Sequence, residues 1–304
     1  MDFVASVVYP LLAFTLAPLM LGIINRTKAF FAGRNGPSVF QTYRDLRKLL
    51  GKGAVYSNTT TWVFRAAPTI TLAAILITVL LLPLGNTPAM MAFPGDLILF
   101  AYLLGLARFF TVIGALDTGS SFEGMGASRE VQFSALAEPV LLLSLAAIAR
   151  STGSVSLSEM YAGVTAAEWS QAGPAFAMVI VALLAVFLAE NARIPVDDPN
   201  THLELTMIHE VMVLDNSGPD FAFITYGASV KLWVLGSLLV GLITPVRTGH
   251  VWFDAPVFLL GMFALAVATG IIESSMARLR LVRVPQMLVG AGALAIFALV
   301  LVLR

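Results

Sequence analysis

The chain is expected to be an all-α, polytopic membrane protein with about eight transmembrane helices and one amphipathic helix on the cytoplasmic side. Three observations predict this. Of 304 residues, 58% are hydrophobic and only 12% charged, where ordinary soluble domains carry about 25% charged residues. Eight apolar runs each approach the roughly 20 residues that a 30 Å hydrocarbon core requires. They fall at about 3–25, 66–85, 96–116, 131–150, 173–192, 221–245, 256–275 and 284–303. The runs are continuously apolar rather than alternating, which excludes a β-barrel. A single membrane domain over 1–304 is expected.

The first run opens with Asp2 and no basic segment, unlike a cleaved signal peptide. The loop at about 26–65 follows, with Arg26, Lys28, Arg34, Arg44, Arg47, Lys48, Lys52 and Arg65 against Asp45 alone. Positive charge marks the cytoplasmic side. Later loops on that side add Arg129, Arg193, Arg278, Arg280 and Arg283, and the opposite side has Arg150, Arg247 and Arg304. The tally of 13 against 3 places both termini outside. Within the first loop, 38–50 reads as a surface helix. Gly36-Pro37 is a turn, Ser38 with Gln41 fits a capping box, and Gly51 ends the helix. Val39, Tyr43, Leu46 and Leu50 form one apolar face, suited to lipid headgroups or to a cytoplasmic partner.

Between the third and fourth runs, 119–126 is rich in Gly and Ser and reads as a flexible connection. It lacks the Lys and preceding strand of a phosphate-binding loop. Residues 151–172, with Glu159, Glu168 and Trp169, read as an interfacial outer loop. The cytoplasmic loop at about 191–203 contains Arg193, Pro195, Asp197, Asp198 and Pro199. Thr201 and Glu204 fit a helix-starting capping box, and 203–220 reads as a short packed helix broken at 216–219. Gly105, Gly114, Gly261 and Gly270 are candidates for close helix contacts.

Acidic residues are concentrated: 13 of 18 lie between Asp117 and Asp220. Glu130, Glu138, Glu190, Glu204, Glu210 and Glu273 fall in or beside the spans. A charge at the bilayer centre costs about 2.5–3.5 kcal/mol on insertion scales, so these acids are expected to face the bundle interior. Glu130, Ser134 and Glu138 step by four along one helix, with Pro139 next to loosen the backbone. Arg108 and Lys231 lie inside apolar runs and can pair with the acids. One or two pairs suffice for packing, so the set as a whole points to a proton path.

Other chemistry is excluded. Cysteine is absent and the histidines are His202, His209 and His250 only. This inventory builds no disulfide, zinc site or iron–sulfur cluster. His209-Glu210 lacks the second histidine of a zinc-protease motif. No nucleophile–base pair supports a hydrolase. Zero net charge gives no reason to expect nucleic acid. Redox chemistry, if present, sits on a partner.

Residues 33–41, Gly-Arg-Asn-Gly-Pro-Ser-Val-Phe-Gln, with Asp45-Leu46-Arg47-Lys48-Leu49, resemble the first cytoplasmic loop of the subunit 1 family of respiratory complex I. Arg129 with Glu138 resembles the fourth-helix pattern of that family, and Glu190, Arg193, Pro195 and Asp197 resemble its fifth-to-sixth-helix loop. Ala192, Val196 and the run His209-Glu210-Val211-Met212 depart from the quinone-reducing branch. They look like the membrane anchors of energy-converting nickel–iron hydrogenases, the formate hydrogenlyase type.

The resemblance implies a non-catalytic membrane subunit of an oxidoreductase complex in a prokaryotic cytoplasmic membrane. It implies hydrogenase-like large and small subunits and iron–sulfur subunits docked on the loops, with antiporter-like subunits alongside. The nickel–iron centre and the clusters would lie on those partners, with quinone open. Carried over by position, Arg34, Arg44, Asp45, Arg47, Lys48, Arg193, Asp197 and Asp198 would dock the redox arm. Glu130, Glu138, Glu190, Glu204 and Glu210, with Arg108 and Lys231, would form the ion path. The rival readings are a quinone-site subunit of an NADH–quinone oxidoreductase, a stand-alone transporter and a purely structural anchor. No inverted repeat favours the transporter.

Overall fold

The computed structural model describes residues 2–85, 87–198, 207–245 and 250–304. The described residues form ten α-helices and one short 3₁₀ turn. The helices are α1 (Asp2–Phe31), α2 (Gln41–Leu50), α3 (Trp62–Leu80), α4 (Asp96–Asp117) and α5 (Ser121–Thr152). They continue with α6 (Leu157–Gly163), α7 (Ala166–Glu190), α8 (Gly218–Ile243), α9 (Val251–Ser275) and α10 (Arg283–Leu303). Eight of them, all but α2 and α6, are long and apolar enough to cross a membrane.

Local chemistry sets several helix starts. Thr61 caps α3 by accepting from the Val63 amide, and Asp117 of α4 adds acceptors for Thr61 N at 2.7 Å and Phe64 N at 3.2 Å. Thr165 caps α7 through Glu168 N. Pro219 stands in the first turn of α8, where its missing N–H costs nothing.

Four expected elements differ. The surface helix begins at Gln41, not 38. The backbone of Val39 lies directly against Gly22 of α1, which holds the lead-in out of the helix. Ser38 Oγ accepts from Phe40 N, so the expected capping box does not form. Gln41 donates instead to Asp45, at 2.9 Å. Tyr43 and Leu46 face the bundle, whereas Leu50 is exposed. Second, 121–126 is not a flexible connection but the first turns of α5. Gly126 is buried there against Val211, Met212 and the Ile208 carbonyl, and this packing outweighs its poor helix propensity. Third, 166–172 belongs to α7, and Trp169 is tied down by donating Nε1–H to the Leu242 carbonyl at 3.1 Å. The stretch read as a broken helix holds a 3₁₀ turn, Glu210–Val213, before α8 starts at Gly218. Thr201 and Glu204 lie outside the described residues.

α8 is the central helix, packed on α1, α2, α3, α7 and α9. Trp233 of α8 is fully buried, with Phe258 edge-on at 6.0 Å and Tyr9 beyond it. Small residues allow several of these approaches. A methyl added at Gly270 would meet Thr27 and the Ile24 carbonyl of α1, and one at Gly114 or Gly261 would meet Ala67 or Val240. Gly105 is not such a contact, because only a Glu138 oxygen lies near it, at 3.8 Å.

Candidate functional site

Four spans bring their charges to one point. Arg108 projects from α4. Glu130 and Glu138 are eight residues apart on α5, close to two helical turns, so both face Arg108. Glu190 ends α7 and Lys231 lies within α8. Arg108 Nη2 is 2.6 Å from Glu190 Oε1, its Nε is 3.4 Å from Glu130 Oε1, and its Nη1 bonds Glu138. Lys231 Nζ is 2.7 Å from the other oxygen of Glu190. Glu190 therefore bridges both cations. Glu130 and Glu190 are buried, whereas the Glu138 side chain is 45% exposed. With all five ionised, three carboxylates face two cations, a net charge of −1. Buried charges are tolerated only when paired, so this cluster is balanced to within one proton.

The loop after α7 forms a second layer. Its backbone turns at Ala192, φ +50°, and passes through a cis Ile194–Pro195 bond. Asp197 is buried: Oδ1 meets Arg278 Nη2 at 2.9 Å, and Oδ2 accepts from Ile208 N at 3.0 Å and His209 N at 3.3 Å. Arg193 is also buried and reaches Glu273 at 3.4 Å, while Glu273 pairs with Lys28 of α1 at 2.8 Å. Burial holds the Arg193 guanidinium below its ordinary pKa, with Glu273 opposing the shift. Arg129 donates to the Met207 carbonyl at 2.7 Å, fixing the far end of the loop on α5.

These elements enclose a cavity of about 500 Å³ running from the cluster to α2. Arg108, Glu130, Glu190, Lys231, His209 and Asp45 are on its wall. Most of the remaining wall is apolar, from Leu21 and Ile75 to Phe221 and Ile224.

The structure thus gathers Arg108, Glu130, Glu138, Glu190 and Lys231 at one place and sets Glu210 on the wall of the same cavity. Glu204 lies outside the described residues. Arg44, Arg47 and Lys48 are on the exposed face of α2. Arg34 borders a separate open groove of about 510 Å³ shared with Lys28 and Glu273. Arg193 and Asp197 face inward, whereas Asp198 is partly exposed. His209 was missed from sequence as a member of the cluster. Its Nε2 lies 3.3 Å from Glu130 Oε2. The roles of Lys28 and Arg278 as partners of inward acids were missed as well. The separation of 79 residues from Glu130 to His209 shows why spacing is silent on their contact.

No group of three metal-ligating side chains occurs among the described residues. The sequence profile of the NADH dehydrogenase family matches residues 4–303. Formate hydrogenlyase subunit 4 of Escherichia coli (strain K12) is 35% identical, over 91% of this chain and 92% of that protein. Hydrogenase-4 component C of the same organism is 34% identical, over 86% and 84%. A subunit of the NADH-quinone oxidoreductase of Anaplasma phagocytophilum (strain HZ) is 25% identical, over 81% and 83%. A chain in the structure of the membrane-bound sulfane sulfur reductase, an archaeal respiratory membrane complex, superposes with a TM-score of 0.84. That match is 18% identical, covers 99% of both chains, and shows the same fold.

Proposed function

Because this chain belongs to the NADH dehydrogenase family, we propose that it is the membrane subunit of a complex-I-like hydrogenase of the formate hydrogenlyase type. It couples electron transfer in a cytoplasmic arm to movement of protons or sodium ions. The arm would carry the nickel–iron centre and the iron–sulfur clusters, and antiporter-like subunits would continue the membrane part. Both termini would face outward from a prokaryotic cytoplasmic membrane.

One observation carries this reading. A buried ionic cluster of net charge −1 stands on a cavity that reaches the α2 end of the bundle. A rearrangement at that end changes the cavity wall and hence the cost of the missing proton. The exposed basic face of α2, with Arg44, Arg47 and Lys48, and the exposed Arg34 in the loop before it offer the arm a docking surface. Asp45, Arg193, Asp197 and Asp198 would transmit the contact, since Asp45 and Arg193 line the cavity and Asp197 anchors the His209 backbone.

The test is elemental analysis of the native complex, isolated through a tag on this subunit. Stoichiometric nickel with abundant iron is expected. Iron with flavin but no nickel moves the assignment to a quinone-reducing complex, which the size and apolar walls of the cavity favour as second reading. Neither metal, from an intact complex, overturns both.

Replacing Glu138 by Gln probes the outer part of the cluster. Its side chain is the more exposed of the three acids on Arg108, so assembly is expected to survive. Ion movement should fall by about tenfold or more. Unchanged translocation in inverted vesicles would remove Glu138 from the path.

A further inference from the structure

We propose that His209 is the proton carrier of the cluster, taking a proton from cavity water and passing it to Glu130. The proposal rests on the reading above, in which the protonation of the cluster follows electron transfer.

The charge balance comes first. Glu130, Glu138 and Glu190 face Arg108 and Lys231, leaving the group one proton short of neutrality. Imidazole is the side chain whose ordinary exchange lies nearest neutral pH.

Geometry then selects His209. Its Nε2 is 3.3 Å from Glu130 Oε2, while Glu130 Oε1 is the oxygen that faces Arg108. Both ring nitrogens are buried without a hydrogen-bond partner among the described residues, yet the side chain is 28% exposed and lies on the cavity wall. One nitrogen is thus aimed at the cluster and the ring borders the space where water can enter.

The position of the ring is also tied to the arm-facing loop. Asp197 holds the His209 amide, and Arg278 holds Asp197. Glu130 is the charged group in contact with the ring, and Asp45, Arg108, Glu190, Arg193, Glu210 and Lys231 share its cavity wall. Arg129, Asp197 and Arg278 hold the loop on which the ring is carried. The ring therefore rides on a backbone amide that Asp197 of the 191–198 loop holds at 3.3 Å.

The step balances without electrons. The neutral ring begins with hydrogen on Nε2. When the ring turns Nδ1 to the cavity, a hydronium ion there loses one O–H bond and becomes water as an N–H bond forms at Nδ1, giving imidazolium. The Nε2–H bond then breaks as an O–H bond forms on Glu130 Oε2. The ring is left neutral in its other tautomer, and the cluster has lost its net charge.

The test uses the native complex and two readouts. In infrared difference spectroscopy of the complex during reduction, imidazole bands of changing protonation should appear in wild type and be absent from His209→Gln. Glu130→Gln removes the carboxylate at 3.3 Å that takes the proton, so these bands should be lost or altered. Bands absent from wild type, or unchanged in Glu130→Gln, overturn the proposal whatever the complex reduces. In inverted membrane vesicles, His209→Ala should slow proton uptake driven by electron transfer about tenfold or more. Added imidazole should restore the rate by entering the cavity. A merely structural histidine would not be rescued, and that result also overturns the proposal. If Glu130→Gln stops proton uptake while His209→Ala does not, His209 falls and the role of the cluster stands. If neither variant changes uptake, the role of the cluster falls and the proposal for His209 falls with it.

Discussion

Glu190→Gln is expected to stop ion movement while leaving the complex assembled. Glu190 is the carboxylate that joins the two cations, with Arg108 at 2.6 Å and Lys231 at 2.7 Å. Neutralising it brings the net charge of the cluster from −1 to zero, so the demand for a further proton disappears. Gln keeps the size and one acceptor oxygen, and Arg108 keeps Glu130 and Glu138. Removing one member of a buried pair outright costs about 3–5 kcal/mol, and the retained acceptor should hold the loss below that. Lys231→Met leaves two buried oxygens of Glu190 with less opposing charge and should cost more. The double variant should cost less than the two single changes added together, by about 1–3 kcal/mol, because the groups are in direct contact. Thermal unfolding of the purified complex measures the cycle, and proton uptake by inverted vesicles measures the coupling. An additive cycle would mean that the two groups do not interact as drawn. Uptake within twofold of wild type in Glu190→Gln would take the acid out of the path.

Gly22→Ala is expected to destabilise the protein by about 1–3 kcal/mol although it adds a single methyl group. The new carbon would fall on the backbone carbonyl of Val39, which cannot swing aside as a side chain can. Either α1 shifts or the segment leading into α2 lifts away. The second response moves Thr42 and Asp45, both on the cavity wall. The matched control is Gly290→Ala in α10, where the added methyl meets nothing within 4 Å. That change should lie within about 0.5 kcal/mol of wild type. Thermal unfolding of both variants in one detergent makes the comparison. Equal melting temperatures would show that α2 does not rest on α1 at this glycine.

Much of the architecture was legible from residue order. A span is a local property: about 20 apolar residues in a row have one stable conformation in hydrocarbon, because the helix satisfies its own backbone. All eight were therefore readable, and their errors lie at the ends. The start of α5 was misplaced because Gly124 and Gly126 read as flexibility, whereas Gly126 is there for the close approach of Val211 and Ile208. The start of α2 was misplaced because Ser38 and Gln41 match a capping pattern that the contact of Val39 with Gly22 does not permit.

The acids inside the spans were equally legible, since a carboxylate in an apolar run is conspicuous on its own. Their grouping was not. That Arg108 serves Glu130, Glu138 and Glu190 together depends on how α4, α5 and α7 pack, and no spacing along the chain encodes it. Arg193 and Asp197 read as loop charges but face inward onto Glu273 and Arg278. His209 read as an isolated histidine and stands against Glu130. Hydropathy along the chain settles which residues must leave water, one segment at a time. Which buried charge meets which is a long-range matter: each ion takes the opposite charge that helix packing brings within about 3–4 Å, and only the folded bundle specifies those distances.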